Sequence, residues 1–185
     1  MKKFFLLRGV IFLFFLVASS SGSADEKAIT ASENKLLAAF SINLAKFTSW
    51  PTRADLKDPE APIQFGVVSN SELLSELEAS SIGKKIGTHP IQIRNLLLEE
   101  SISKNWPAVV LLMSKSDTLN VQALKKFKNC RCLIITHKSG WADLGSVINF
   151  YLENEKLRFE INPKTAKDQE LELSSQILRL GKIIE

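Results

Sequence analysis

The stretch Ile63-Gln64-Phe65-Gly66-Val67-Val68-Ser69-Asn70-Ser71-Glu72-Leu73-Leu74-Ser75-Glu76-Leu77 decides the fold class. Its first six residues read as a strand. Ser69-Asn70-Ser71 then supplies a helix N-cap, and Leu73, Leu74 and Leu77 fall on one side of a short helix over Glu72–Ala79. The alternation continues downstream. Pro90–Leu96 is a strand, and Ala108–Met113 is a nearly all-apolar one. Asp117–Phe127 is a helix with Leu119 or Leu124 and Phe127 turned inward, and Arg131–Thr136 is a further strand. Strands alternating with helices, some of them apolar on both faces, predict a mostly parallel sheet covered by helices on both sides. The fold class is α/β, of the Rossmann-like or flavodoxin-like kind.

Upstream, Ala28–Ser49 reads as a helix. Leu36, Leu37, Phe40, Leu44 and Phe47 form its apolar stripe, Asn43 lies inside that stripe, and Trp50-Pro51 ends it. An Asn on a buried stripe must find hydrogen bonds, so Asn43 is expected to tie the helix to a neighbouring backbone. Downstream the pattern changes. Val147–Leu152 and Leu157–Ile161 are strands four residues apart and predict an antiparallel hairpin. With Asn154-Glu155 as the turn, Leu152 faces Leu157, Phe150 faces Phe159 and Ile148 faces Ile161, so all six share one face. Asn149, Tyr151, Arg158 and Glu160 take the other. A closing helix begins near Ser174, with Ile177, Leu178, Gly181 and Ile184 inward; Gly181 implies close approach to another backbone.

Met1–Ala24 has the three parts of a secretory signal peptide: basic Lys2 and Lys3, an apolar run Val10–Ala18, and small residues through Gly22 and Ala24. The apolar run is about half the ~20 residues a bilayer requires. Residues 25–185 are then one mature domain. The whole-chain charge of +4 belongs largely to this leader, which carries three cations and no acid; without it the charge is +1. Nucleic acid is not an expected partner. An exported chain can hold disulfides. Cys130 and Cys132 share a strand face, and three states stay open for them: free thiols, a bond to each other, or a bond to another chain.

No Gly-x-Ser-x-Gly elbow, Gly-x-Gly-x-x-Gly turn or phosphate-binding loop occurs, so catalysis, cofactors and a metal site are not expected. The hairpin's polar face is the main candidate surface, with Arg158 shaped to fork a carboxylate and Trp141 in the adjoining loop as a flanking contact or a lid on the core. Asn70 and His137, at strand ends of an α/β sheet, are the candidate ligand cleft. His89, ahead of Pro90, reads as a turn residue.

Ala39-x-x-x-Asn43-x-Ala45-x-Phe47-x-x-Trp50-Pro51 resembles the opening signature of the YfiR family of periplasmic proteins. Gly145-x-x-Ile148-Asn149-Phe150, Arg158-Phe159-Glu160-Ile161-Asn162 and Leu171-x-Leu173-Ser174-Ser175-x-Ile177-Leu178 follow in that family's order, with Gly83-Lys84, Gly87 and Pro90-Ile91 between. The resemblance implies a regulator, often dimeric, that binds and represses the periplasmic part of an inner-membrane signalling protein. A diguanylate cyclase is the typical partner and a histidine kinase the related one. The alternative is a periplasmic small-ligand sensor acting on a histidine kinase or transport system. Relatives carry more cysteines, so redox control by their bridges does not transfer to Cys130 and Cys132.

Fractionated cells should yield a periplasmic chain beginning at Asp25, read by N-terminal sequencing. Full-length protein in the cytoplasm would overturn the leader assignment.

Overall fold

The computed structural model describes residues 22–97, 106–113 and 121–184. Helix α1 (Gly22–Lys46) leads into β1 (Thr48–Ser49), and β2 (Ile63–Val67) feeds α2 (Ser71–Ser81). A short β3 (Lys85–Ile86) precedes β4 (His89–Asn95). Then come β5 (Val109–Leu112), α3 (Val121–Lys125), β6 (Leu133–Thr136), β7 (Ile148–Glu153), β8 (Lys156–Ile161), α4 (Pro163–Asp168), β9 (Glu172–Leu173), α5 (Ser175–Leu180) and β10 (Lys182–Ile183). The eight-stranded sheet has the order β10-β8-β7-β6-β5-β2-β4-β3. Strands β4, β2, β5, β6 and β7 are parallel neighbours, β8 is antiparallel to β7, and β10 runs parallel to β8. The expected α/β class, mostly parallel sheet and terminal hairpin are all present.

The chain steps from β2 outward to β4 in one direction and from β5 through β6 to β7 in the other. Right-handed crossovers therefore place α2 and α3 on opposite sheet faces. Strands β5 and β6 are buried at all eight positions, as a sheet covered on both sides requires. Gly66 in β2 permits the layer above it: a Cβ there would lie 2.7 Å from Pro107 Cγ and 3.1 Å from Leu96 Cδ2. Asn70 caps α2, its Oδ1 accepting from Leu73 N–H at 2.9 Å.

Helix α1 turns a different face inward from the one its stripe predicts. Leu37, Ala38, Ser41, Ile42, Leu44 and Ala45 are buried, while Leu36, Phe40 and Phe47 are 36–48% exposed. The close neighbour of α1 is α2, which Asn34 Nδ2 reaches by donating to Glu72 Oε2 at 3.0 Å, while the buried Ser41 hydroxyl folds back to Leu37 O at 2.7 Å. Asn43 is exposed, and among the described residues its side chain accepts from Lys46 Nζ at 3.5 Å, so the expected tie to a neighbouring backbone is corrected. The anchor is instead Trp50, whose indole Nε1–H donates to Ala108 O at 3.2 Å. The helix over 117–127 is seen as α3 alone; residues 114–120, Leu119 among them, lie outside the described residues, as does the leader through residue 21.

The hairpin pairs in the expected register, Ile148 with Ile161, Phe150 with Phe159 and Leu152 with Leu157. Asn154 and Glu155 both take positive φ, 50° and 60°, as a tight primed turn demands. At the tip Leu152 shares the apolar face but is 59% exposed. Gly181 does mark a close approach, but to side chains: a Cβ there would stand 2.6 Å from Phe159 Cε2 and 2.7 Å from Ile161 Cδ1.

Phe159→Asp should cost about 3–5 kcal/mol in a denaturant titration, a charge replacing a core ring; Tyr151→Ala should cost about 1 kcal/mol or less. Glu155→Gly should add roughly 0.5–1 kcal/mol by relieving a left-handed non-glycine residue.

Candidate functional site

Along β7 and β8 the side chains alternate between the core and the opposite face, and this places Asn149, Tyr151, Arg158 and Glu160 together. Asn149 sits opposite Glu160, and Tyr151 opposite Arg158. Their environments differ. Asn149 is 1% exposed and fully engaged: Oδ1 accepts from Thr136 Oγ1 at 2.7 Å and Lys138 N–H at 3.1 Å, and Nδ2 donates to Glu160 Oε1 at 2.9 Å. It is a tie between β6, β7 and β8, corrected from its assignment to a recognition surface. Tyr151 and Glu160 are half-buried and Arg158 is exposed. The guanidinium Nε of Arg158 stands 3.7 Å from Glu153 Oε2, with both side chains more than half exposed. A pair this open is worth little in water, so the guanidinium fork remains available to a carboxylate.

Trp141 is 4% exposed and closes the core, with Lys138 Nζ 5.6 Å from its ring centroid. It is the lid of the two expected roles, corrected from a surface contact. Asn162, at the end of the same motif, holds the hairpin to its surroundings: Oδ1 caps α4 through Thr165 N–H at 2.8 Å, and Nδ2 donates to Ala142 O at 2.9 Å.

The residues proposed for a ligand cleft are engaged separately. Asn70 Nδ2 donates to Met113 O at 2.8 Å while its oxygen caps α2. His137 Nδ1 lies 3.6 Å from Glu33 Oε1 of α1. His89 is the first residue of β4, paired with Ile86 of β3, with its Nδ1 2.9 Å from Ala61 O, so the expected turn residue is a strand residue instead. Recesses among the described residues lie elsewhere. One of about 410 Å³ has Pro51, Pro163, Leu171 and Leu178 in its walls. Another, about 680 Å³, runs between α3 and α4 past Ile134.

Cys130 and Cys132 are joined as a disulfide, with Cα atoms 5.2 Å apart. Buried Gln169 clasps this bend: Oε1 accepts from Cys132 N–H at 3.3 Å, and Nε2 donates to Phe127 O at 3.0 Å. The adjoining Arg131 pairs with Glu170 at 3.0 Å. A hydrogen bond from Thr52, aided by Arg131, holds the Glu170 carboxyl below the usual carboxylate range.

Sequence reading missed Thr136, Glu153 and Gln169. Thr136 alone carried a signal, as the polar end of an apolar strand in register with Asn149. The other two become visible only when segments distant in sequence or across the turn meet.

A family model described as YfiR/HmsC-like matches residues 34–182. The chain belongs to the YfiR/HmsC-like family. That family is one of periplasmic regulators in cyclic di-GMP signalling. No curated protein sequence matches it. Among solved structures, a conserved domain protein from Vibrio cholerae O1 biovar El Tor is similar with a TM-score of 0.51 at 10% identity, over 66% of this chain and 55% of that one. The ABC domain from Streptococcus pneumoniae, in complex with L-Trp, has a TM-score of 0.47 at 7% identity, over 65% and 55%. The chain thus spans about half the length of these structures. The first supports the α/β fold. No described helix is long and apolar enough to cross a membrane.

Asn149→Ala should cost about 2–4 kcal/mol, since it strands the Lys138 N–H, the Thr136 hydroxyl and the Glu160 carboxylate. Urea titration checks this; a loss under about 1 kcal/mol would mean water replaces the amide.

Proposed function

We propose that the protein binds and represses the periplasmic part of an inner-membrane signalling protein, a diguanylate cyclase, and that the outward face of the β7–β8 hairpin makes the contact. One observation carries the choice of surface. Arg158 is the most open member of the polar face, loosely held by Glu153, on a hairpin whose base is fixed by Asn149 and whose tip stands clear of the core. A rigid strand pair that presents a bidentate donor suits recognition of a carboxylate. Tyr151 flanks the guanidinium across the ladder and Glu160 sits on the same strand face. Family membership supports the periplasmic regulatory role, and the signal-peptide pattern supports export. Repression follows if the bound form of the cyclase is its inactive state: the regulator shifts the equilibrium by its differential affinity, and release raises cyclic di-GMP.

Arg158→Ala tests this with the purified periplasmic domain of a membrane diguanylate cyclase from the same cells. Capture should weaken by about 30- to 1000-fold, or 2–4 kcal/mol, while the melting temperature stays near wild type because the Glu153 pair is exposed. Normal capture by the folded variant removes Arg158 from the contact. A wild-type protein that captures no such domain overturns the proposal as a whole.

A further inference from the structure

The recess between α3 and α4 holds about 680 Å³, within the size range of small-molecule sites. Its walls have two chemistries. Leu124, Ile134 and Leu144 supply apolar surface. Leu124 and Ile134 belong to the core, whereas Leu144 is 48% exposed. A large aliphatic side chain open inside a hollow keeps water against apolar surface, and an occupant would release that water.

The charged part rests on three lysines. Helix α3 runs on into a tight turn, where Phe127 N–H donates to Leu124 O at 3.1 Å and Lys128 N–H to Lys125 O at 3.2 Å. In a turn bonded this way, side chains three apart eclipse. Leu124 and Phe127 accordingly enter the core together, and Lys125 and Lys128 come out together. Both lysines line the recess, and neither forms an ion pair among the described residues. Two like charges held side by side repel, and an anion seated between them removes that cost. Lys164 of α4 stands on the facing wall. The acids of the lining are Asp143 and Asp168, and Asp168 Oδ2 lies 3.5 Å from Lys164 Nζ. Three cations against two carboxylates leave the wall net positive. The amides of Asn162 and Gln169 are engaged at both ends within the fold. Charge and apolar contact therefore set what the recess takes.

We infer that this recess binds a small organic acid, its carboxylate between Lys125 and Lys128 and its apolar body along Ile134 and Leu144. A bare inorganic anion would leave Leu144 in water. A neutral apolar molecule would leave the two ammonium groups uncompensated. A bilayer surface is flat and meets groups that project, whereas these line a hollow. The position also links the recess to the hairpin. Ile134 O accepts from Val147 N–H at 3.0 Å just before β7, and Asn162 N–H donates to Val147 O at 2.9 Å just after β8. Ile134, Gly145 and Asn162 all line the recess, so an occupant rests against both roots of the strand pair that carries Arg158. Binding here does not depend on which membrane protein Arg158 meets.

Decanoate is the probe, titrated into the isotope-labelled mature chain and followed by amide NMR shifts. Decanol supplies the same body without the charge, and acetate the charge without the body. Decanoate should saturate, with its shifts gathered at residues 124–129, 134 and 143–145. Decanol and acetate should each bind about tenfold more weakly or worse, since each meets only half of the site. The double variant Lys125→Gln/Lys128→Gln, and separately Leu144→Gln, should weaken decanoate by about tenfold or more. Melting temperatures should stay near wild type, because all three positions are exposed. Four results overturn the inference: no saturable binding of decanoate to wild type, shifts that map away from the recess, binding that neither variant weakens, or capture by phosphatidylglycerol vesicles in place of decanoate. The last, if the double variant abolishes it, would assign the lysines to a membrane surface.

Discussion

The Asn149 carboxamide has no water to turn to. Buried, it satisfies itself only by joining three segments: the Thr136 hydroxyl and the Lys138 amide beyond β6, and the Glu160 carboxylate of β8. An unmet buried amide costs enough that the three segments are held to one arrangement. Everything downstream inherits that placement. It fixes where the parallel sheet ends and the antiparallel hairpin begins, and so sets the angle at which β7 and β8 leave the body of the domain. The same bond restrains Glu160, which leaves Arg158 as the open ion of the face.

The hairpin has two chemistries because a strand has two sides. Its base is core on one side, with Phe150, Phe159 and Ile161 packed against α1 and Gly181, and hydrogen-bonded amide on the other. Toward its tip Leu152 on one side and Arg158 on the other are exposed. The disulfide bend lies away from both, clasped by Gln169 and Glu170, and acts as bracing for the α4–β9 segment.

The β2–α2 unit was legible because its evidence is local: an apolar strand, an Asn cap and leucines at helical spacing are all present within fifteen consecutive residues. The hairpin register was legible for a related reason. Only one pairing puts Phe150 opposite Phe159 and Ile148 opposite Ile161, and a slip by one residue would reverse every side chain. The candidate surface was legible in membership and not in exposure. Asn149 and Trp141 have the composition of a contact site, yet one is a strand tie and the other a lid, since burial depends on which segments lie above.

Helix α1 shows the boundary most plainly. Its sequence determined that it is a helix, that it ends at Trp50-Pro51 and that it has more apolar surface than a single face can bury. It did not determine which side goes inward. The small residues at 38, 41 and 45 lie on the buried side and Leu36, Phe40 and Phe47 on the more open one, and only the assembled fold, with α2 beside the helix, decides between them. Period and register are local properties, set by backbone geometry within one segment. Exposure is decided by what the rest of the chain places overhead, and so Asn43 ended in solvent and Asn149 in the core.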